Sequence, residues 1–302
     1  MAPRPLIIDC DPGKDDTVAL MLAFASPAEL DVLAVTAVAG NAALPTTQAN
    51  ARRICELCDR ADVPVYAGCP RPMLRPLETA EHVHGPDALG GVDLAPPSKP
   101  LEAVHAVPFL VERLLASNGQ VTVAALGPLT NLALAIVMEP EVVEGIREVV
   151  LMGGAIGRGN VTPAAEFNIY TDPHAAAVVL GSGAPVTMIG LEVTRATELT
   201  RERLDALRRI DRPAAQTVVR MFAAASGEAT LVHDSCVVAY LLRPGLFETA
   251  ARDVRVETAE GPEVGRTTVR EPPPGGGPTV RVATGVDAEG FFRLLTERLA
   301  RL

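Results

Sequence analysis

Short apolar runs rich in β-branched residues alternate with helical patterns through most of this 302-residue chain, and that alternation limits the possible folds more than any other feature. Pro5 to Ile8 reads as a strand, Asp16 to Ala25 as a helix, Asp31 to Val38 as a strand and Pro45 to Cys58 as a helix. Val121 to Ala125 is followed by a helix opening near Leu129. Val149 to Met152 precedes a long loop and a helix from Asp172 to Leu180, and Pro185 to Ile189 closes the series. Strands apolar on both faces and separated by helices belong to a mainly parallel sheet that is covered on both sides. The expected class is therefore α/β, a doubly wound sheet with helices on both faces. The pattern from Arg201 to Arg243 is helical, and Val254 to Glu257 with Val280 to Val282 predict late edge strands, so extra helices and edge strands fall in the C-terminal third. Pro272 to Pro278 is a loop by composition, placed between those strands and not between domains. With no internal repeat, residues 1–302 read as a single α/β domain.

Composition agrees with a large core, since 48% of residues are hydrophobic and 21% charged. Aromatics are only 3%, with no Trp, so Ala, Val, Leu and Ile must build that core. The net charge is 27 − 37 = −10, with no Lys/Arg cluster, which argues against nucleic acid as a partner. A small molecule or a bound cation suits it better. The chain reaches Asp9 before it accumulates the apolar run of a signal peptide. The most apolar long stretch, Val121 to Met138, is interrupted by Gly127, Pro128, Thr130 and Asn131 and is no membrane span. A cytoplasmic protein is expected. The odd, scattered set of five cysteines suits a reducing compartment, and the C-x-x-C of Cys55 and Cys58 falls mid-helix without a second pair, so both read as inert.

In doubly wound sheets ligands sit outside the carboxyl ends of the strands. The densest chemistry lies there, in Asp9-Cys10-Asp11-Pro12-Gly13-Lys14-Asp15-Asp16, with four carboxylates in eight residues. Two unit charges ~4 Å apart repel by about 4 kcal/mol at an effective dielectric near ~20, so such a cluster needs a cation or strong donors. Pro12-Gly13 turns the chain so that Asp11 can meet Asp15 and Asp16 at a helix N-terminus. A solvated turn with one N-cap accounts for one acid, not four. Polar residues follow the other strands too: Asn41, Thr130-Asn131, Asn160, and Glu166-Phe167-Asn168. Each alone is a turn or cap residue, but together they describe a pocket rich in hydrogen-bond partners, as a sugar requires. His233-Asp234 alone would be a surface histidine and an N-cap, and beside the acidic cluster the pair reads as part of the site.

The eight-residue acidic segment resembles the DxDPGxDD signature of the nucleoside hydrolases, the inosine-uridine type ribohydrolases. Val38-Ala39-Gly40-Asn41, His82-Val83-His84-Gly85, Gly127 to Asn131, Val150 to Gly154, Gly159-Asn160, Ala165 to Asn168 and Val232-His233-Asp234 are similar to family segments in the family's order, across nearly the whole chain. The resemblance implies hydrolysis of the N-glycosidic bond of ribonucleosides to free base and ribose, with a bound Ca²⁺ below the ribose. It implies metal ligands at Asp11, Asp16, the Thr130 carbonyl and Asp234, with Asp11 deprotonating the calcium-bound water. It further implies ribose contacts from Asp15, Asn41, Asn160, Glu166 and Asn168, with Phe167 beside them. His233 would protonate the departing base, His84 would assist from a mobile loop, and Asp9 would support the cluster from behind. Such a reaction passes through an oxocarbenium-like state, as in glycosidases. A role in nucleoside salvage and a homo-oligomer, dimeric or tetrameric, are expected.

One stretch departs from the family. Before His-Asp, members that cleave inosine, uridine or cytidine carry Tyr or Gln against the base, whereas Met221 to Val232 has no Tyr, Trp or Gln. The lack of Trp disfavours the purine-specific branch, so pyrimidine or broad specificity is expected over purine-only. Two alternatives stand beside this reading. One is a catalytically weak ribose- or nucleoside-binding protein on the same scaffold. The other is an aspartyl phosphatase built on Asp9-x-Asp11, weakened by Gly13 where a hydroxyl or β-branched residue belongs.

Overall fold

The computed structural model describes residues 2–272 and 279–302. Among the described residues nine strands form one sheet: β1 (Arg4–Cys10), β2 (Leu30–Ala37), β3 (Val65–Ala67), β4 (Val121–Ala125), β5 (Ile146–Met152), β6 (Val186–Ile189), β7 (Phe247–Val256), β8 (Thr267–Arg270) and β9 (Val280–Val286). Their order is β3-β2-β1-β4-β5-β6-β9-β7-β8. Strands β1 to β6 and β9 pair in parallel. All five residues of β4 are buried, which is what a continuous apolar run at the centre of a covered sheet demands. Successive residues of β1 feed opposite cores, with Leu6 and Ile8 packing on one face and Ile7 on the other.

The chain winds from β1 outward through β2 to β3, then returns to β4 on the other side of β1 and proceeds through β5 to β6. The order therefore reverses between β1 and β4, the place where such sheets open a crevice at their carboxyl ends.

The late strands occupy other places than a pair of edges. Val280 to Val282 lies in β9, which is interior between β6 and β7, and Val254 to Val256 ends β7, which is flanked by β9 and β8. The edge is β8, antiparallel to β7. The alternation of Val and Arg in Val280-Arg281-Val282 reads as a half-exposed strand, and β9 is indeed alternately buried and exposed over those three residues although paired on both sides. From Pro273 to Pro278 the expected loop lies outside the described residues.

Helix α1 (Lys14–Phe24) is buried along all eleven residues, and α2 (Leu44–Leu57) covers the neighbouring strands. The helical stretch after Arg201 resolves into Arg201–Arg208, Pro213–Phe222 and Ser235–Leu242. The first is capped by the Thr200 hydroxyl and the second opens on Pro213. All five cysteines are free and buried. Cys58 follows the last turn of α2 instead of lying mid-helix, and burial pushes the Cys55 thiol up to about 12. Among the described residues no helix is long and apolar enough to cross a membrane.

Candidate active site

The reversal between β1 and β4 places the carboxyl end of β1 between those of β2 and β4, and the acidic segment emerges there. Pro12-Gly13 turns the chain into α1 so that the Asp16 carboxylate folds back on its own turn. It accepts from the N–H of Asp11 at 3.1 Å, the N–H of Gly13 at 3.0 Å and Nδ2 of Asn41 at 3.0 Å. Asn41, at the exit of β2, also donates its own N–H to Asp11 Oδ2 at 2.6 Å. The Asp11 carboxylate occupies the space above two glycines. A Cβ on Gly40 would stand 2.1 Å from Asp11 Oδ2, and one on Gly127 would stand 2.3 Å from Oδ1.

Asp15, Asp16 and Asp234 present carboxylate oxygens all within 4.8 Å of one another, and Asp11 joins them through its N–H to Asp16. All four acids are buried. Loss of water, compounded by one another's charge, pushes Asp11 and Asp234 well above the carboxylate range and Asp15 up to about 7. Asp16 is also raised by burial, though its N–H donors oppose the shift. Asp11 Oδ1 and Asp15 Oδ1 have no hydrogen-bond partner among the described residues. A buried oxygen-only cluster with unpartnered acceptors fits a hard divalent cation of the calcium type. Asp9 lies beneath, accepting from the Thr36 hydroxyl and from Asn131 Nδ2 at 2.8 Å. Burial pushes it up to about 6.

Above this floor lies a cavity open to solvent. One wall is polar. Glu166 caps the short helix Phe167–Thr171 and accepts from the N–H groups of Gly154, Asn168 and Ile169, while burial raises it to about 7. Asn168 Nδ2 donates to the Leu126 carbonyl at 2.7 Å and to that of Met152 at 3.1 Å, and Asn160 Oδ1 accepts from the Phe167 N–H. Asp15, Asn41, His84, Asn160, Glu166, Phe167, Asn168, His233 and Asp234 thus converge on one cavity, with Asp11 and Asp16 packed under it.

Thr130 is not brought in. It opens the helix Thr130–Met138, its hydroxyl donates to Asp172 at 2.7 Å, and the residue of this segment that lines the cavity is Leu126.

The sequence did not single out Lys14, His82, Val161, Phe222, Glu228 and Leu231, which also line the cavity. Lys14 Nζ donates to the Val83 carbonyl and lies 5.4 Å from the Phe222 ring centre. The helix Glu81–His84 (α3) sets His84 so that its Nδ1 accepts from the Lys14 N–H at 3.2 Å, and burial pushes this histidine down to about 3. Burial likewise pushes His233 down to about 4. Phe222, the last residue of an amphipathic helix, was visible in the sequence as an apolar position, but nothing local marks it as facing a ligand instead of the core.

The fold is that of the nucleoside hydrolases. A plant nucleoside hydrolase, the PpNRh1 enzyme, superposes with a TM-score of 0.91 at 34% identity over 99% of each chain. A purine-preferring ribonucleoside hydrolase from Gardnerella vaginalis gives 0.91 at 31% identity over 98% of each. Residues 6–293 match the family described as inosine-uridine preferring nucleoside hydrolases, and the chain belongs to that family. It is similar to the pyrimidine-specific ribonucleoside hydrolase RihA of Shewanella sp. (strain MR-7), 43% identical over 98% of this chain and 96% of the relative. It is also 39% identical to the pyrimidine-specific ribonucleoside hydrolase RihB of Escherichia coli O157:H7 (strain EC4115 / EHEC), over 98% and 97%. The protein is a ribonucleoside hydrolase, an enzyme of N-glycosidic bond cleavage, which sets aside the aspartyl-phosphatase alternative.

Proposed function

We propose that the enzyme prefers pyrimidine ribonucleosides and cleaves them over a calcium-bearing carboxylate floor. The observation that carries the mechanism is the buried group Asp11, Asp15, Asp16 and Asp234 at the base of a cavity lined by His82, His84 and His233. The base preference rests on the two relatives named pyrimidine-specific. Asp11, Asp16 and Asp234 would hold the ion, with the Leu126 carbonyl as the main-chain oxygen in place of Thr130. When bound, calcium supplies the positive charge these acids need, takes ribose hydroxyls into its oxygen shell and makes a neighbouring water more acidic.

Asp11 accepts the proton of the attacking water on Oδ1, the oxygen left without a partner. Asp15, Asn41, Asn160, Glu166 and Asn168 hold the ribose, and the apolar side of Phe167 closes over it. Phe222, Val161 and Leu231 offer the base an apolar slot that excludes water. His233 passes a proton to the base as the C1′–N bond breaks, and His84 assists from the same side; such acid catalysis typically contributes ~10²–10⁴-fold.

The test is base release from uridine, cytidine, inosine, adenosine and guanosine by enzyme stripped with a chelator and then reloaded. Uridine and cytidine should exceed the purines by at least ~10-fold in kcat/KM, a discrimination of about 1.4 kcal/mol. Activity should vanish on stripping and return with Ca²⁺. Purine preference would overturn the specificity, and full activity of the stripped enzyme would overturn the metal.

A further inference from the structure

His233 enters the cavity from the turn before the helix Ser235–Leu242, but the group that fixes its ring comes from another element. Thr194 ends the short helix Leu191–Thr194 that follows β6 and is fully buried. Its hydroxyl oxygen lies 2.8 Å from His233 Nδ1. Neither side chain has another hydrogen bond among the described residues, and His233 lines the cavity. The ring is therefore held at Nδ1, and Nε2 is the nitrogen left for a substrate.

The chemistry of a hydroxyl matters here. A carboxylate or a carbonyl can only accept, which would draw a neutral ring's proton to Nδ1 and leave Nε2 bare. A hydroxyl turns. Toward the neutral ring it donates to Nδ1, so the single ring proton stays on Nε2. Toward the protonated ring it accepts from Nδ1–H, and Nε2 again carries a proton.

We propose that Thr194 is a positioning residue for base departure, keeping a proton on His233 Nε2 whichever charge the ring carries. This rests on the reading of His233 as the group that protonates the base. In the step itself the C1′–N bond breaks with its electron pair going to the base. The Nε2 proton of the protonated ring passes to the base, and the neutral ring left behind keeps its Nδ1 proton on the Thr194 oxygen until solvent returns one to Nε2.

Thr194→Val keeps the side-chain shape and removes both hydrogen-bonding roles, and Thr194→Ser restores them. Loss of a partner that orients a functional histidine typically costs about 10–100-fold. Thr194→Val should lower kcat on uridine by that factor. On p-nitrophenyl riboside, whose leaving group needs no proton, it should stay within about 2-fold of the parent, which also shows that the variant folds. Thr194→Ser should return uridine turnover to within about 3-fold. Equal losses on both substrates, or undiminished uridine turnover, overturn the proposal. His233→Ala separates the two levels. If it loses uridine turnover selectively while Thr194→Val does not, only the role of Thr194 falls; if it loses both substrates alike, the acid role of His233 falls and Thr194 with it.

Discussion

Asp11 sits in a slot that exists because the segments following two strands, β2 and β4, each carry a glycine. Oxygen Oδ2 fills the place where a Cβ of Gly40 would be, and Oδ1 that of Gly127, so the carboxylate is fixed from both sides by absent atoms. Gly40→Ala puts a methyl 2.1 Å from Oδ2 and 2.8 Å from Pro128 Cδ, a collision that only a shift of the carboxylate can relieve. Displacing a reacting group by about 1 Å can cost ~10²-fold, so Gly40→Ala should lose roughly that much turnover on uridine and on p-nitrophenyl riboside alike. Steady-state kinetics on both substrates would check this, and a variant within a few-fold of the parent would mean that Asp11 is not so confined. The acids themselves were legible, because four carboxylates in eight residues demand an explanation on electrostatic grounds alone. Thr194 was not. A threonine closing a short helix gives no signal in sequence that its hydroxyl meets a histidine 39 positions away.

The strands and the helices of the parallel half were readable as elements because apolar runs on both faces leave little choice of fold. The sheet's far side was less so. An alternation of Val and Arg cannot say whether a strand has one neighbour or two, and β9 has two. The part of the cavity lining formed by Lys14, His82, Val161, Phe222, Glu228 and Leu231 was hidden for a related reason, being assembled from helix ends and loops that only tertiary packing brings together. Arg195 shows how it is assembled. Its guanidinium donates to the carbonyls of Arg158 and Gly159, both at 2.8 Å, and pairs with Glu228 at 3.2 Å. One side chain thus ties the loop carrying Asn160 to the segment carrying Glu228, both of which line the cavity. Arg195→Met should loosen both walls while leaving the carboxylate floor alone. Hydrogen bonds from a charged donor are worth about 1.5–3 kcal/mol when buried and less at this half-exposed position. The expected result is a KM for uridine raised by roughly 5–20-fold with a smaller change in kcat, and an unchanged KM would show that the tie is not used in binding.

For the molecule as a whole, part of the net charge of −10 is concentrated in one buried place, and its stability must depend on what neutralises it. In the folded chain Asp9 is pushed up to about 6, Asp15 to about 7 and Glu166 to about 7, with Asp11 and Asp234 also raised well above the ordinary carboxylate range. Each therefore binds its proton more tightly folded than unfolded. The stability these protons supply is complete below the ordinary carboxylate values and is lost as pH rises through about 6 to 7. On the proposed reading a calcium ion would take the place of the protons and would bind better as they leave. Enzyme stripped with a chelator should accordingly melt at lower temperature as pH is raised from about 5 to about 8, whereas the calcium-loaded enzyme should change little over that window. A ligand at about 100 times its Kd adds about 2.7 kcal/mol. For a chain of this length that is a rise in Tm of roughly 4 °C. Calcium should give at least that near pH 8 and distinctly less near pH 5, where protons already occupy the cluster. Thermal melts at the two pH values, with and without calcium, would show it. A calcium effect equal at both would mean that ion and protons do not compete, and that the four acids are not the site.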